Sequence, residues 1–199
     1  MAETFDFGKG PIACRKHNFG NGLVASTAQV AGTVCVGSES VVGDEALIEG
    51  HVSLLGRTVV KNQAVIRGKN IRLENCILGE SCRIGDATTL SNVTVCGYAR
   101  IEKVHIDNNG RTQLVIDETP VVVTGIGNYP IIIIPSPVAF LLIGSYLWPL
   151  NNETFDIAYR LEQIGIKQPV VDSIVRIAYV VMKLRGAEMT GYWELLGNR

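Results

Sequence analysis

Three histidines, five cysteines and a few basic side chains are the residues of this chain whose types and spacing could do chemistry. The histidines are His17, His51 and His105. A zinc site built from three imidazoles needs them close enough to share one ion. A single histidine can act as general base when a loop presents it to a substrate. His51 instead lies within VVGDEALIEGHVSLLG (41–56), a stretch rich in small residues that nothing interrupts. There an outward, solvated ring is the ordinary expectation. Cys14, Cys35, Cys76, Cys82 and Cys96 form no CxxC pair, and their number is odd. MAETFDFGKG does not read as a secretory signal. Reduced thiols in a cytoplasmic protein are therefore expected. No Ser-His-Asp arrangement, phosphate loop or dinucleotide fingerprint can be read, and no cofactor or metal is implied.

The elements that hold these residues must be built from an apolar chain. Of 199 residues, 47% are apolar and 19% charged, which suits a buried core and not a disordered segment. The net charge of −1 gives no reason to expect a nucleic-acid partner. IIIIPSPVAFLLIGSYLW (131–148) is long and apolar, but Pro135, Pro137 and Gly144 interrupt it and no basic cluster flanks it. It reads as a buried strand pair, not a membrane span.

The organising signal is a period of six. Stepping by six from Val24 to Cys96 meets Val, Ile or Leu at eleven of thirteen positions, the exceptions being Arg72 and Cys96. Stepping by six from Ala28 to Arg100 meets mostly small or β-branched residues. Gly, Ser, Asn, Asp and Glu crowd the places between. A period of six fits neither a helix nor a flat strand. It fits a triangular coil with one hexad per side, an aliphatic and a small residue pointing in, and turn residues that tolerate positive φ. Coils of eighteen residues then stack as parallel strands about 4.7 Å apart.

This pattern resembles the hexapeptide-repeat family, over about residues 24–101. The resemblance implies an all-β solenoid, a left-handed parallel β-helix, which departs from the usual right-handed crossover. The family includes acyltransferases, γ-class carbonic anhydrases and non-catalytic scaffolds, so it does not fix a function. Many members are homotrimers, and a homotrimer is what the resemblance implies here. The apolar 131–148 segment supports that expectation. Arg72 stands where an aliphatic residue belongs, between Ile71 and Leu73, and predicts a local slip of register through KNIRLENCI. Glu102 breaks the pattern at the far end.

The domains expected are an N-terminal cap over 1–23, with Phe5, Phe7 and Ile12 as plugs, the solenoid over 24–107, and an α+β C-terminal domain over 108–199 that caps it. In the last, LVIDETPVVVTGIGNYPIIIIP reads as short antiparallel strands. A helix follows, with Asn152 as N-cap, Glu153 in its first turn, a stripe of Phe155, Ala158, Tyr159, Leu161 and Ile164, and a stop at Gly165. A second helix runs from Pro169 to Gly186 with Val171, Ile174, Val175, Ala178, Val181 and Leu184 on one face, and an amphipathic tail, GYWELL, comes after. The order of solenoid, TPVVVTG, aliphatic hairpin and helix pair resembles small phage-encoded and bacterial repeat proteins often labelled transferases.

Residues eighteen apart should stack. Gly32, Gly50, Gly68 and then Asp86 form one column and strip a corner of side chains. Arg67 and Lys69 flank it on one coil, and Lys103 and His105 two coils on, with His51 above. The expected ligand-binding set is therefore His51, Arg67, Lys69, Lys103 and His105, a cationic edge with a small-residue notch for a phosphate or carboxylate. Glu49, Asp86 and Glu102 offset it, and ordinary surface charge is the competing reading, which the residues alone favour. Cys76, Cys82 and Cys96 are expected inside, as small core fillers. His51 and His105 are 54 residues apart, three coils, which puts them in one column about 14 Å apart and too far to share a metal.

The residues favour a non-catalytic binding protein that captures a small anionic, nucleotide-like ligand or a host protein. The phage resemblance adds a role in inhibiting host defence. The first alternative is an acyltransferase using an acyl-CoA donor with His51 as base, although no NVWIG-like stretch or long loop interrupts 24–101. The second is a structural or assembly module.

Overall fold

The computed structural model describes residues 3–109, 114–128, 130–135, 139–150 and 155–184. It divides into two compact units, Met1–Thr119 and Pro120–Arg199. The first is a parallel β-solenoid with three sides. On the first side Val24, Val42, Val60, Leu78, Val95 and Ile116 follow one another in register. The second side stacks Val30, Ile48, Ile66, Ile84 and Ile101. On the third, Val36, Leu54, Leu73, Leu90 and Ile106 align. Apart from half-buried Val30, these side chains are buried. Each fully buried aliphatic contributes about 1.5–3 kcal/mol relative to exposure.

The eighteen-residue step holds through the first coils and then changes. Val52 pairs with Ile71, after a register shift between Gly50 and Val52. The coil gains a residue at Lys69–Asn70, so Ile71 and Leu73 are buried while Asn70 and Arg72 are exposed. This is the slip expected from Arg72. Later coils shorten: Ile84 pairs with Ile101 and Leu90 with Ile106. Cys96 is accordingly half-buried rather than inside, Val95 takes the core position, and Arg100 is exposed rather than at an inward small site. Asn70, Asn75 and Asn92 adopt left-handed φ of 58°, 51° and 56°, which asparagine tolerates at turns.

The narrow interior is lined by short side chains. Ala28, Ala46, Ala64, Cys82 and Ala99 form one buried set. Ser40, Thr58 and Cys76 form another, and their polar atoms are satisfied. Ser40 Oγ donates to Leu54 O (3.2 Å) and Gly56 O (3.0 Å). Thr58 Oγ1 donates to Leu55 O (2.7 Å) and accepts from the Cys76 N–H (3.3 Å). Buried hydroxyls without such partners would be costly.

The N-terminus forms a hairpin, Glu3–Asp6 with Pro11–Lys16, whose second strand pairs antiparallel with Leu23–Ala25. It covers the first-side edge of the opening coil. Phe7 is buried against Gly43, where a Cβ would strike its ring. Phe5 and Ile12 are only half-buried. At the other end the parallel ladder runs past residue 107, because Leu114–Ile116 pairs with Val93–Val95.

The second unit has an antiparallel sheet of four strands, Val121–Val123, Ile131–Ile134, Phe140–Ile143 and Tyr146–Pro149, in sequence order. Both central strands are buried at every position. Within the 131–148 segment Ile131–Ile134 and Phe140–Ile143 are thus a buried strand pair, while its end enters the more exposed strand Tyr146–Pro149; no helix among the described residues is long and apolar enough to cross a membrane. Two helices follow, α1 (Phe155–Gln163) and α2 (Gln168–Leu184). Gly165, at φ 83°, separates them. Pro169 sits in the first turn of α2, where its missing N–H costs nothing. Leu161 of α1 and Ile174 and Ala178 of α2 pack with Ile131, Ile133 and Leu141. Exposed Tyr159 and Leu184 fall off the expected stripes. Asn152, Glu153, the Phe155 side chain, Gly186 and GYWELL lie outside the described residues.

Candidate anion-binding face

The second side of the solenoid presents two outward columns. In the first, Leu47, Val65, Arg83 and Arg100 are register partners from coil to coil. Alternation along each strand forces this, because Ile48, Ile66, Ile84 and Ile101 beside them point into the core. In the second column Glu49 pairs with Arg67, and Gly85 and Glu102 follow. Gly85 has no side chain to fill its place, and the Glu102 side chain leans over it, where a Cβ would collide. The result is a groove of about 290 Å³ lined by Leu47, Val65, Arg67, Arg83, Gly85, Arg100 and Glu102.

The charges in this groove are unequally matched. Arg67 Nε lies 2.8 Å from Glu49 Oε2. Arg100 Nη2 lies 2.7 Å from Glu102 Oε1, and Arg100 Nε donates to the same oxygen at 2.9 Å. These pairs are exposed, so each contributes at most about 1 kcal/mol and is screened by salt. Arg83 has no carboxylate partner among the described residues. A planar guanidinium with free donors, flanked by two others, is suited to a phosphate or carboxylate.

The five basic residues expected from sequence are distributed differently. Arg67 lines the groove. Lys69 and Lys103 sit at the adjoining corner around Asp86. The Lys69 N–H donates to Asp86 Oδ1 (2.7 Å), and the Lys103 N–H donates to Asp86 O (2.8 Å). The Asp86 carboxylate also occupies the space over Gly68. The notch read from the glycine column is therefore already filled by an anion of the chain itself. Gly50 and Gly68 have a conformational reason for being glycine. Their φ values are 93° and 143°, and a Cβ on Gly50 would meet the Gly68 carbonyl oxygen.

His51 and His105 do not share a column, which corrects the eighteen-residue alignment. His105 pairs with Thr89, which pairs with Arg72, which pairs with Ser53. His51 lies at the bulge, opposite the extra residue of the next coil. Both rings are exposed. His17 is buried in the first turn, with Nδ1 3.2 Å from Phe19 O and 3.3 Å from Phe19 N. No three His, Cys, Asp or Glu side chains among the described residues are grouped to hold a metal.

Sequence reasoning missed Arg83 and Arg100. They are seventeen residues apart, so a strict eighteen-residue step separates them. The signal that could have found them was the paired repeat Arg83-Ile84 and Arg100-Ile101. The thiols are poor nucleophile candidates: burial pushes the Cys82 thiol up to about 12 and raises Cys76 as well. No family model matches this chain, and no curated protein or solved structure matches it either.

Proposed function

We propose that the protein is a binding protein for a small amphipathic anion, held without covalent chemistry on the second side of the solenoid. The observation that carries the reading is Arg83, an exposed guanidinium without a carboxylate partner among the described residues, in register with Arg100. The same column supplies an apolar half, Leu47 and Val65. Leu47 and Arg83 are two strand spacings apart, about 9–10 Å. A ligand with an anionic group at one end and a flat apolar body at the other fits that layout, and a mononucleotide is of this kind. Homotrimeric assembly and capture of such a ligand to inhibit host defence in a phage setting rest on the family resemblance and complete the proposal.

The test is isothermal titration of the full chain with inorganic phosphate and with AMP, each against wild type and Arg83→Ala. Saturable binding that weakens about threefold to fivefold in the variant is expected, since an exposed charge pair contributes up to about 1 kcal/mol. AMP should bind more tightly than phosphate. Binding that is unchanged by Arg83→Ala overturns the site. Turnover of an acyl-CoA that is lost in His51→Ala would replace the reading with catalysis.

A further inference from the structure

The C-terminal unit holds a second cavity, of different chemistry and independent of the arginine groove. It measures about 260 Å³ and is bounded by the α1–α2 turn, the start of α2 and the sheet. Its floor is Ile131, Ile143 and Ile174, all buried. Its walls are Ile126, Ile164, Ile166 and Val170, all half-buried. Every one of these side chains is β-branched, and β-branched side chains have few rotamers. Stiff χ1 wells leave these walls little freedom to close over the space.

Two exposed polar side chains stand at its mouth, Asn128 and Lys167. Neither makes a side-chain hydrogen bond or ion pair within the described residues. The cavity thus has an aliphatic interior and, among the described residues that line it, one formal charge, positive, at its opening. An apolar cavity of about 150 Å³ accepts a benzene ring, so this one has room for a longer group. We infer that it binds an aliphatic carboxylate of roughly six to eight carbons, chain inward and carboxylate at Lys167. A polar or branched sugar-like body would have to shed water against isoleucine side chains that offer it no hydrogen bond. A neutral chain would forgo the ammonium.

The experiment titrates the full chain, labelled at isoleucine methyls, with butanoate, hexanoate and octanoate, followed by NMR. Affinity should rise about fourfold per added methylene, the usual gain for burying one, and methyl shifts should concentrate on Ile131, Ile143 and Ile174. Lys167→Met should weaken octanoate several-fold while leaving 1-octanol unchanged. Lys167→Glu should reverse the preference, favouring octylamine. Ile174→Phe fills the floor and should abolish binding; because Ile174 also belongs to the packed core, Val170→Phe at the half-buried wall serves as the second block. Arg83→Ala should have no effect. Absence of saturable shifts, a flat chain-length series, or octanoate affinity unchanged in Val170→Phe each overturns the assignment.

Discussion

Arg83 and Arg100 are direct register partners on adjacent coils, and among the described residues only Arg100 is matched by a carboxylate, Glu102, at 2.7 Å. Two like charges facing across a parallel ladder are unfavourable unless something neutralises them. Glu102 neutralises one, and a bound anion would neutralise the other. Removing Glu102 should therefore strengthen anion binding. Glu102→Gln is expected to bind phosphate about threefold to tenfold more tightly at low salt, with the gain shrinking as ionic strength rises. Titration at two salt concentrations measures both effects.

The corner lysines should behave differently from the groove arginines. Lys69 and Lys103 surround Asp86, which already supplies an anion there. Lys69→Ala and Lys103→Ala are expected to leave phosphate affinity within about twofold of wild type. Asp86→Ala removes the acceptor of the Lys69 N–H and should cost about 1–2 kcal/mol in denaturant unfolding. Asp86→Asn, which keeps an acceptor oxygen, should recover most of that loss.

Gly32 and Gly50 stand in the same column and should respond oppositely to substitution. A Cβ at Gly32 meets open space, whereas at Gly50 it meets a carbonyl oxygen on a backbone with φ 93°. Gly32→Ala should change stability by no more than about 0.5 kcal/mol. Gly50→Ala should cost about 2 kcal/mol or more, from the strained conformation and the collision together. Thermal unfolding of the two variants side by side is the measurement.

Cys82 sits among alanines in its interior set. Cys82→Ala should therefore cost less than about 1.5 kcal/mol, while Ala64→Leu should overpack the same space and cost about 1–3 kcal/mol. Burial raises the Cys82 thiol from 9.0 to about 12 in the folded chain. Below pH 9 both states keep the proton and stability is unaffected. As pH rises from 9 toward 12 the unfolded chain releases the proton and the native one retains it, so stability falls. The alkaline decline should be shallower in Cys82→Ala. At pH 8, alkylation should leave Cys76 and Cys82 unmodified until the protein is unfolded.

The period of six made the solenoid legible before any coordinates, because the same geometric demand recurs at every side. Val42, Ile48, Leu54, Val60 and Ile66 follow it without exception and all are buried. What failed was long extrapolation of a fixed step. A corner can absorb one residue, as at Lys69–Asn70, or drop one, as between Leu73 and Leu78, and keep its aliphatic residue inside. Each such change is small in energy and leaves only a local mark, an asparagine at positive φ. The errors then accumulate along the chain: Arg100 was assigned an inward place it could not hold, and His105 was placed under His51. The candidate groove was missed for the same reason, since its two central arginines come together only after the step has shortened.

Register partners in the solenoid lie sixteen to twenty-one residues apart, from Leu90–Ile106 to Val95–Ile116. Among the described residues, each ladder of the solenoid therefore joins a coil to its immediate neighbours. Stability in such an array is a chain of nearest-neighbour couplings. Order can spread from one formed coil to the next over short loops, which favours quick propagation once a first pair exists. The antiparallel hairpin at Glu3–Lys16 gives that process a natural starting block, because it joins the first coil without waiting for any other. Under force or denaturant the same logic runs in reverse, with loss beginning at an end and travelling inward one rung at a time.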